Sequence, residues 1–196
     1  QPFFEGNGDC SEFVKKYIEN CEKSEHKGLI CIPSGNHDMD RLAKWVHGDK
    51  LKTAFAFLLS MPGAPFIYYG DEIGMRYVEG LTSVEGGYGR TGSRSPMQWN
   101  GGRNAGFSDA GADKLYIPLD PDANRPNAEA QMSDPDSLRS EVKKLISTRM
   151  AHPALQSRGD IRFAYYGKES YPLAYVRTAG DEKILVVLNP SDKKTE

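Results

Sequence analysis

The order of segments predicts an α/β chain that passes into an antiparallel β domain, and three features of its 196 residues carry the prediction. Helical and strand patterns alternate in the first third of the chain, which is the signature of parallel α/β structure. The strand candidates there are short, unbroken apolar runs, as expected of parallel strands covered on both faces. After Ala154 the pattern changes to period-two alternation between turn-rich breaks. The expected division is therefore 1–154 and 155–196.

Residues 11–23 place Phe13, Val14, Tyr17, Ile18 and Cys21 at helical spacing, with Lys15, Lys16, Glu19 and Glu22 on the other side. Asp9 or Ser11 is the expected N-cap. Lys27-Gly28 breaks this helix, and the apolar run 29–32 reads as a strand. A second helix is predicted over 49–61, with Leu51, Ala54, Phe55, Leu58 and Leu59 as its buried stripe and Pro62-Gly63 as its end. Another short strand follows at 65–69. Residues 70–136 show little periodicity and are rich in Gly, Pro, Asn and Asp. They read as a long loop at the carboxyl end of a strand, where α/β enzymes keep specificity. A third helix over 134–150 lines up Leu138, Val142, Leu145, Ile146 and Met150 and is stopped by His152-Pro153. Three strands, 161–166, 173–177 and 183–188, then form a meander, separated by turns at 167–172 and 178–182.

Composition excludes several functions. With 38% apolar and 27% charged residues and a net charge of −2, acidic and basic residues intermixed, the chain offers no basic face to a nucleic acid and no polybasic strip to a membrane. Its apolar stretches are far shorter than the ~20 residues of a membrane span. Cys10, Cys21 and Cys31 are odd in number and lack CxxC spacing, which argues against zinc and against a disulfide framework. A reduced, cytoplasmic setting is expected, with secretion as the alternative. The carboxylates Asp109, Asp113, Asp120 and Asp122 raise the question of calcium, but their spacing fits no EF-hand. They read as a solvated loop, and no metal or cofactor is expected.

Three ordered motifs carry chemistry. Ser34-Gly-Asn-His-Asp38 directly follows the first apolar strand. Met61-Pro-Gly-Ala-Pro-Phe-Ile-Tyr-Tyr-Gly-Asp-Glu-Ile-Gly-Met75 contains the second. Arg94-Ser-Pro-Met-Gln-Trp99 comes later, followed by Asn104-Ala-Gly-Phe107 and Leu115-Tyr-Ile-Pro-Leu-Asp-Pro121. Read alone, Asn36, His37 and Asp38 could cap a helix starting near Asp40. Asp71 and Glu72 read as structural carboxylates, and Arg94 as either a loop-fixing ion pair or a substrate contact. A metal-dependent hydrolase using His37 and Asp38 lacks further ligands at workable spacing.

Together these segments resemble the α-amylase family of glycoside hydrolases, in particular its oligo-1,6-glucosidase, α-glucosidase and trehalose synthase branch. The resemblance implies a (β/α)8 TIM barrel, of which this chain would hold the last two strands with their helices, followed by a partial antiparallel β domain. It further implies that Asp38 is the carboxylate that stabilises the transition state, and that His37, Asn36, Arg41 and Arg94 bind the substrate. The substrates implied are α-linked glucosides or malto- and isomalto-oligosaccharides. Retaining hydrolysis needs a nucleophile and an acid/base. In the family both lie on earlier barrel strands, in segments this chain does not contain. A complete barrel needs about 250 residues, so the expectation is the carboxyl-terminal portion of a longer enzyme, inactive by itself and prone to self-association through its exposed strand edges. The alternative is a noncatalytic, glucosidase-like binding or interaction module.

Overall fold

The computed structural model describes residues 2–6, 8–24, 27–167 and 170–194. Its elements in chain order are α1 (Pro2–Glu5), α2 (Ser11–Ser24), β1 (Cys31–Pro33), α3 (Asp49–Ser60), β2 (Ala64–Phe66), α4 (Ala128–Met132), α5 (Leu138–Ala151), β3 (Asp160–Gly167), β4 (Ser170–Ala179) and β5 (Glu182–Leu188). Short 3-10 turns punctuate the stretch between β2 and α4.

Two compact units divide the chain. Unit 1 comprises residues 1–32, 46–66 and 143–196, and unit 2 comprises 33–45 and 67–142. Unit 1 runs across position 154 and holds residues from both sides of it. In unit 1 a core joins Val14 and Tyr17 of α2, Phe57 of α3 and the adjoining Met61 to Leu173, Tyr175 and Leu188 of the sheet. The sheet would lose its inner cover without the helices, which is why the two sequence segments share one core.

The α3 stripe forms as expected, since Leu51, Ala54, Phe55, Leu58 and Leu59 are all buried. The meander also forms, in the order β3-β4-β5, with Phe163 opposite Tyr175 and Tyr175 opposite Val186. β4 begins earlier than predicted, at Ser170. Alternation on β4 turns Leu173, Tyr175 and Arg177 inward, each at most 1% exposed.

Two buried arginines finish the carboxyl end of α3. Arg149 donates to the carbonyl oxygens of Leu59 (2.8 Å), Met61 (2.7 Å) and Gly63 (2.9 Å). Arg177 donates to the carbonyls of Ser60, Gln156, Gly159 and Asp160. The Tyr175 hydroxyl meets Ser60 Oγ at 2.5 Å beside them. A helix end leaves carbonyls without partners and carries partial negative charge, so cations are favoured there. Burial, and after it the neighbouring Arg149, pull the Arg177 guanidinium down to about 10.

Four expectations need correction. The first strand is Cys31–Pro33 and is not covered on both faces: Cys31 and the preceding Leu29 are exposed, and among the described residues β1 pairs with β2 in a two-stranded sheet. The second strand ends at Phe66, so Tyr68 and Tyr69 lie in the loop beyond it. The third helix starts at Leu138. Met150, 73% exposed, leaves its expected buried stripe, and Arg149 is buried instead. α4 had no counterpart in the sequence reading, since a five-residue helix shows no periodicity; Asn127 caps it by accepting from Ala130 N at 2.9 Å.

The turn into β2 depends on Gly63, whose φ is 95° and whose position leaves no room for a Cβ beside the Ile30 carbonyl. Gly63→Ala is expected to destabilise the chain by about 1–3 kcal/mol, measurable as a lower midpoint in urea unfolding. An unchanged midpoint would mean that the turn relaxes freely.

Candidate active site

The site is built in unit 2 from three loops: the one after β1, the one after β2, and the segment 90–99. In the first, Asn36 Oδ1 accepts the backbone N–H of Asp38 at 2.8 Å, closing an Asx turn. That turn does not cap a helix. The next helical turn, Leu42–Lys44, starts behind Arg41 without a side-chain cap.

The turn presents His37 and Asp38 side by side, with His37 Nε2 3.3 Å from Asp38 Oδ2. Both side chains are about half exposed or more, 65% and 49%, and are open to a ligand. The other Asp38 oxygen, Oδ1, accepts from Arg94 Nη2 at 2.9 Å and from Arg90 Nη1 at 3.0 Å. Arg94 also donates from Nε to the His37 carbonyl at 2.8 Å, so one guanidinium fixes two neighbouring residues. Ser93 Oγ donates to the Arg90 carbonyl at 2.8 Å. The sequence reading missed Arg90: it sits in a Gly-rich stretch without periodicity, and nothing local marks it.

Beneath the first two loops lies a buried ion pair. Arg41 Nη1 donates to Asp71 Oδ1 at 3.1 Å and to the Tyr69 carbonyl at 2.7 Å, and both charged side chains are fully buried. The guanidinium stacks over the rings of Tyr68 and Tyr69, 4.8 Å from each centroid. Ser34 ties the same loops together, donating to Asp71 Oδ2 at 2.6 Å and accepting from Tyr68 N at 3.0 Å. Burial pushes the Asp71 carboxyl above its usual value, against the opposing pull of Ser34 and Arg41. Tyr68 and Tyr69 continue the tie, donating to the carbonyls of Ser93 (3.2 Å) and Ser95 (2.8 Å).

Of the expected site residues, the structure brings His37, Asp38 and Arg94 together at an open surface. Asn36 spends its side-chain oxygen on the turn. Arg41 is buried behind the loops and presents no surface to a ligand in this chain. Ser34 had a faint signal, since it opens a motif next to a strand, and Asp71 plays the structural part expected of it.

Residues 7–158 match the family described as alpha amylase, catalytic domain. The chain belongs to the α-amylase family. Within that family it is 39% identical over 149 residues to trehalose synthase/amylase TreS of Mycobacterium tuberculosis, covering 72% of this chain and 24% of that protein. It is 30% identical over 222 residues to the oligo-1,6-glucosidase of Parageobacillus thermoglucosidasius, covering 92% of this chain and 37% of the relative. Among solved structures, a mutant of MutB in complex with its substrate sucrose aligns with a TM-score of 0.76 at 27% identity, covering 92% of this chain and 38% of MutB. The chain therefore spans about a quarter to two fifths of these relatives.

The α-amylase-family chain also settles where its carboxylate run goes. Arg76 takes Asp120 at 3.1 Å and Asp122 at 2.9 Å, and Asp120 is buried rather than solvated. Donation from the Asn124 backbone and from Arg76 holds the Asp122 carboxyl below its usual range. Among the described residues no group of three or more side chains is arranged to hold a metal ion, and no helix is long and apolar enough to cross a membrane.

Proposed function

We propose that this chain is the carboxyl-terminal part of a retaining α-glycoside hydrolase acting on α-glucosidic bonds of oligosaccharides. Residues 1–154 would supply the last two strands of the catalytic barrel and 155–196 a partial β domain. The family match to residues 7–158 and the partial span of the relatives support this reading.

The observation that carries it is the Asp38 carboxylate, exposed beside His37 and fixed from behind by Arg90 and Arg94. Held in this way, Asp38 grips sugar hydroxyls whose hydrogen bonds strengthen as an oxocarbenium-like transition state forms. His37 donates to the same sugar, Arg94 fixes Asp38 and borders the sugar, and Asn36 sets the turn that aims them. Arg41 acts as a positioning residue through Asp71 and Tyr69. The nucleophile and acid/base come from elsewhere in the complete enzyme. The exposed Leu29 and Phe66 near the two-stranded sheet support self-association of the isolated chain. Its unbridged cysteines agree with a reducing, cytoplasmic setting.

The test is hydrolysis of an aryl α-glucoside. The 196-residue chain should show no turnover. In a complete enzyme carrying this segment, His37→Ala should lower kcat roughly 10²-fold, as loss of one positioned donor does. Turnover by the isolated chain, or a His37→Ala enzyme within twofold of the parent, would overturn the assignment.

A further inference from the structure

Arg90 and Arg94 reach Asp38 from either end of a single short 3-10 turn, Thr91–Ser93. Two guanidinium groups on so short a turn keep their aim only if the turn is fixed, because an untethered loop samples many backbone states. Three contacts with residues 77–78 fix it. Val78 N donates to the Gly92 carbonyl at 3.1 Å. The Tyr77 hydroxyl donates to the Gly89 carbonyl. Gly92 is buried and leaves no room for a Cβ against the Val78 carbonyl and the Tyr77 ring. Residues 77–78 are therefore the bed on which 89–92 lie.

That bed is gripped by one side chain from the loop after β1. Lys44 Nζ stands 4.0 Å from the centroid of the Tyr77 ring and 2.7 Å from Glu79 Oε1. It also meets Asp40 Oδ2 at 3.2 Å, with the Trp45 ring 5.3 Å away. An ammonium over an aromatic face is attracted by the ring quadrupole, and more strongly where water is partly excluded. The Lys44 side chain is 23% exposed, so the grip is partly shielded. Its backbone is anchored as well, since Lys44 N donates to the carbonyl of the fully buried Arg41 at 3.0 Å.

We propose that Lys44 and Tyr77 are positioning residues for Asp38, which fix the bed under 89–92 and through it the aim of Arg90 and Arg94. The contacts close a ring. They leave the loop after β1 at Lys44, pass through Tyr77 and Gly92, reach Arg94 through its backbone N–H on the Thr91 carbonyl at 3.0 Å, and return to the same loop at His37 and Asp38. Both arginines are thus tied to the loop that bears the carboxylate they hold. The consequence for turnover rests on the glycosidase reading of Asp38, whereas the effect on Arg94 does not.

The reporter is the Arg94 Nε–H in the NMR spectrum of the 196-residue chain, assigned by its loss in Arg94→Lys. In the parent the His37 carbonyl holds that proton and should slow its exchange with water. Lys44→Met, which keeps the stem and removes the cation, should speed the exchange at least about fivefold. Tyr77→Phe, which keeps the ring and loses the tie to Gly89, should do so to a smaller extent, and Lys44→Arg should restore the parent rate. Gly63→Ala, a destabilising change in unit 1, should leave this proton as it is. In a complete enzyme carrying the segment, Lys44→Met should lower kcat about tenfold with KM within about twofold. Parent-like exchange in Lys44→Met overturns the proposal, as does equal quickening by Gly63→Ala, which would mean that Lys44 acts through stability alone. Faster exchange with an unchanged kcat also overturns it where Asp38→Asn abolishes turnover. Where Asp38→Asn leaves turnover intact, faster exchange supports the positioning of Arg94 and it is the glycosidase reading that fails.

Discussion

Asp38→Asn, made in a complete enzyme that carries this segment, is expected to lower kcat at least about 10³-fold, more than about 4 kcal/mol of transition-state stabilisation. The substitution keeps the size of the side chain and removes its charge. Arg90 and Arg94, which meet at Oδ1, would then face a neutral amide. The oxygen next to His37 would no longer be part of a carboxylate that strengthens its hold on sugar hydroxyls as positive charge develops on the ring. Because Asp38 is half exposed, its loss leaves no buried charge stranded, and the thermal midpoint should stay close to that of the parent. A large loss of kcat with an unchanged midpoint is the result that marks a chemical role. A kcat within a few-fold of the parent would reduce Asp38 to the turn residue it resembles when its motif is read alone.

Arg177→Met is the second large effect, and it falls on stability. Arg177 is fully buried, and its partners are four main-chain carbonyl oxygens, those of Ser60, Gln156, Gly159 and Asp160. Methionine approximates the volume of the stem but donates nothing. Carbonyls left without a donor away from water cost about 1–3 kcal/mol each, and those that reach solvent cost less. The expected total is about 3–5 kcal/mol, which for a chain of this length lowers Tm by roughly 10 °C. Arg177→Lys should recover only part of this, since a single ammonium cannot span carbonyls that a planar fork reaches together. A midpoint within 2 °C or so of the parent would show that water replaces the guanidinium at no cost.

Much of the fold was legible because the signals were periodic. The α3 stripe and the three strands of the meander follow from spacings of 3.6 and 2, and the motif loops follow strands that end at Pro33 and Phe66. What was not legible depends on partners distant in sequence. Arg177 reads as solvent-facing by residue type, although it shares the parity of Leu173 and Tyr175 on β4. Parity was the better guide, because the carbonyls at the end of α3 lie on that side. Arg149 displaced Met150 from the buried face of α5 for the same reason. At the site, Asp38, His37 and Arg94 were named from the order of the motifs. Arg90 was not, and neither was the burial of Arg41, since the charge of a residue does not reveal that its counter-ion lies thirty positions away.

The core shared by α1, α2 and the sheet bears on how the protein is made. Phe3 stacks on Tyr171 at 5.0 Å, and its carbonyl accepts from the Tyr171 hydroxyl across 168 residues of sequence. Val14 and Tyr17 of α2 wait equally for Leu173 and Leu188. On the ribosome, then, the apolar faces of α1 and α2 emerge without their sheet partners until β4 and β5 have been synthesised. Contacts this distant form slowly, and the surfaces that await them are open to association in the meantime. Between synthesis of α2 and of β5 these faces should be chaperone-binding sites, and release of the sheet from the exit tunnel should end that exposure.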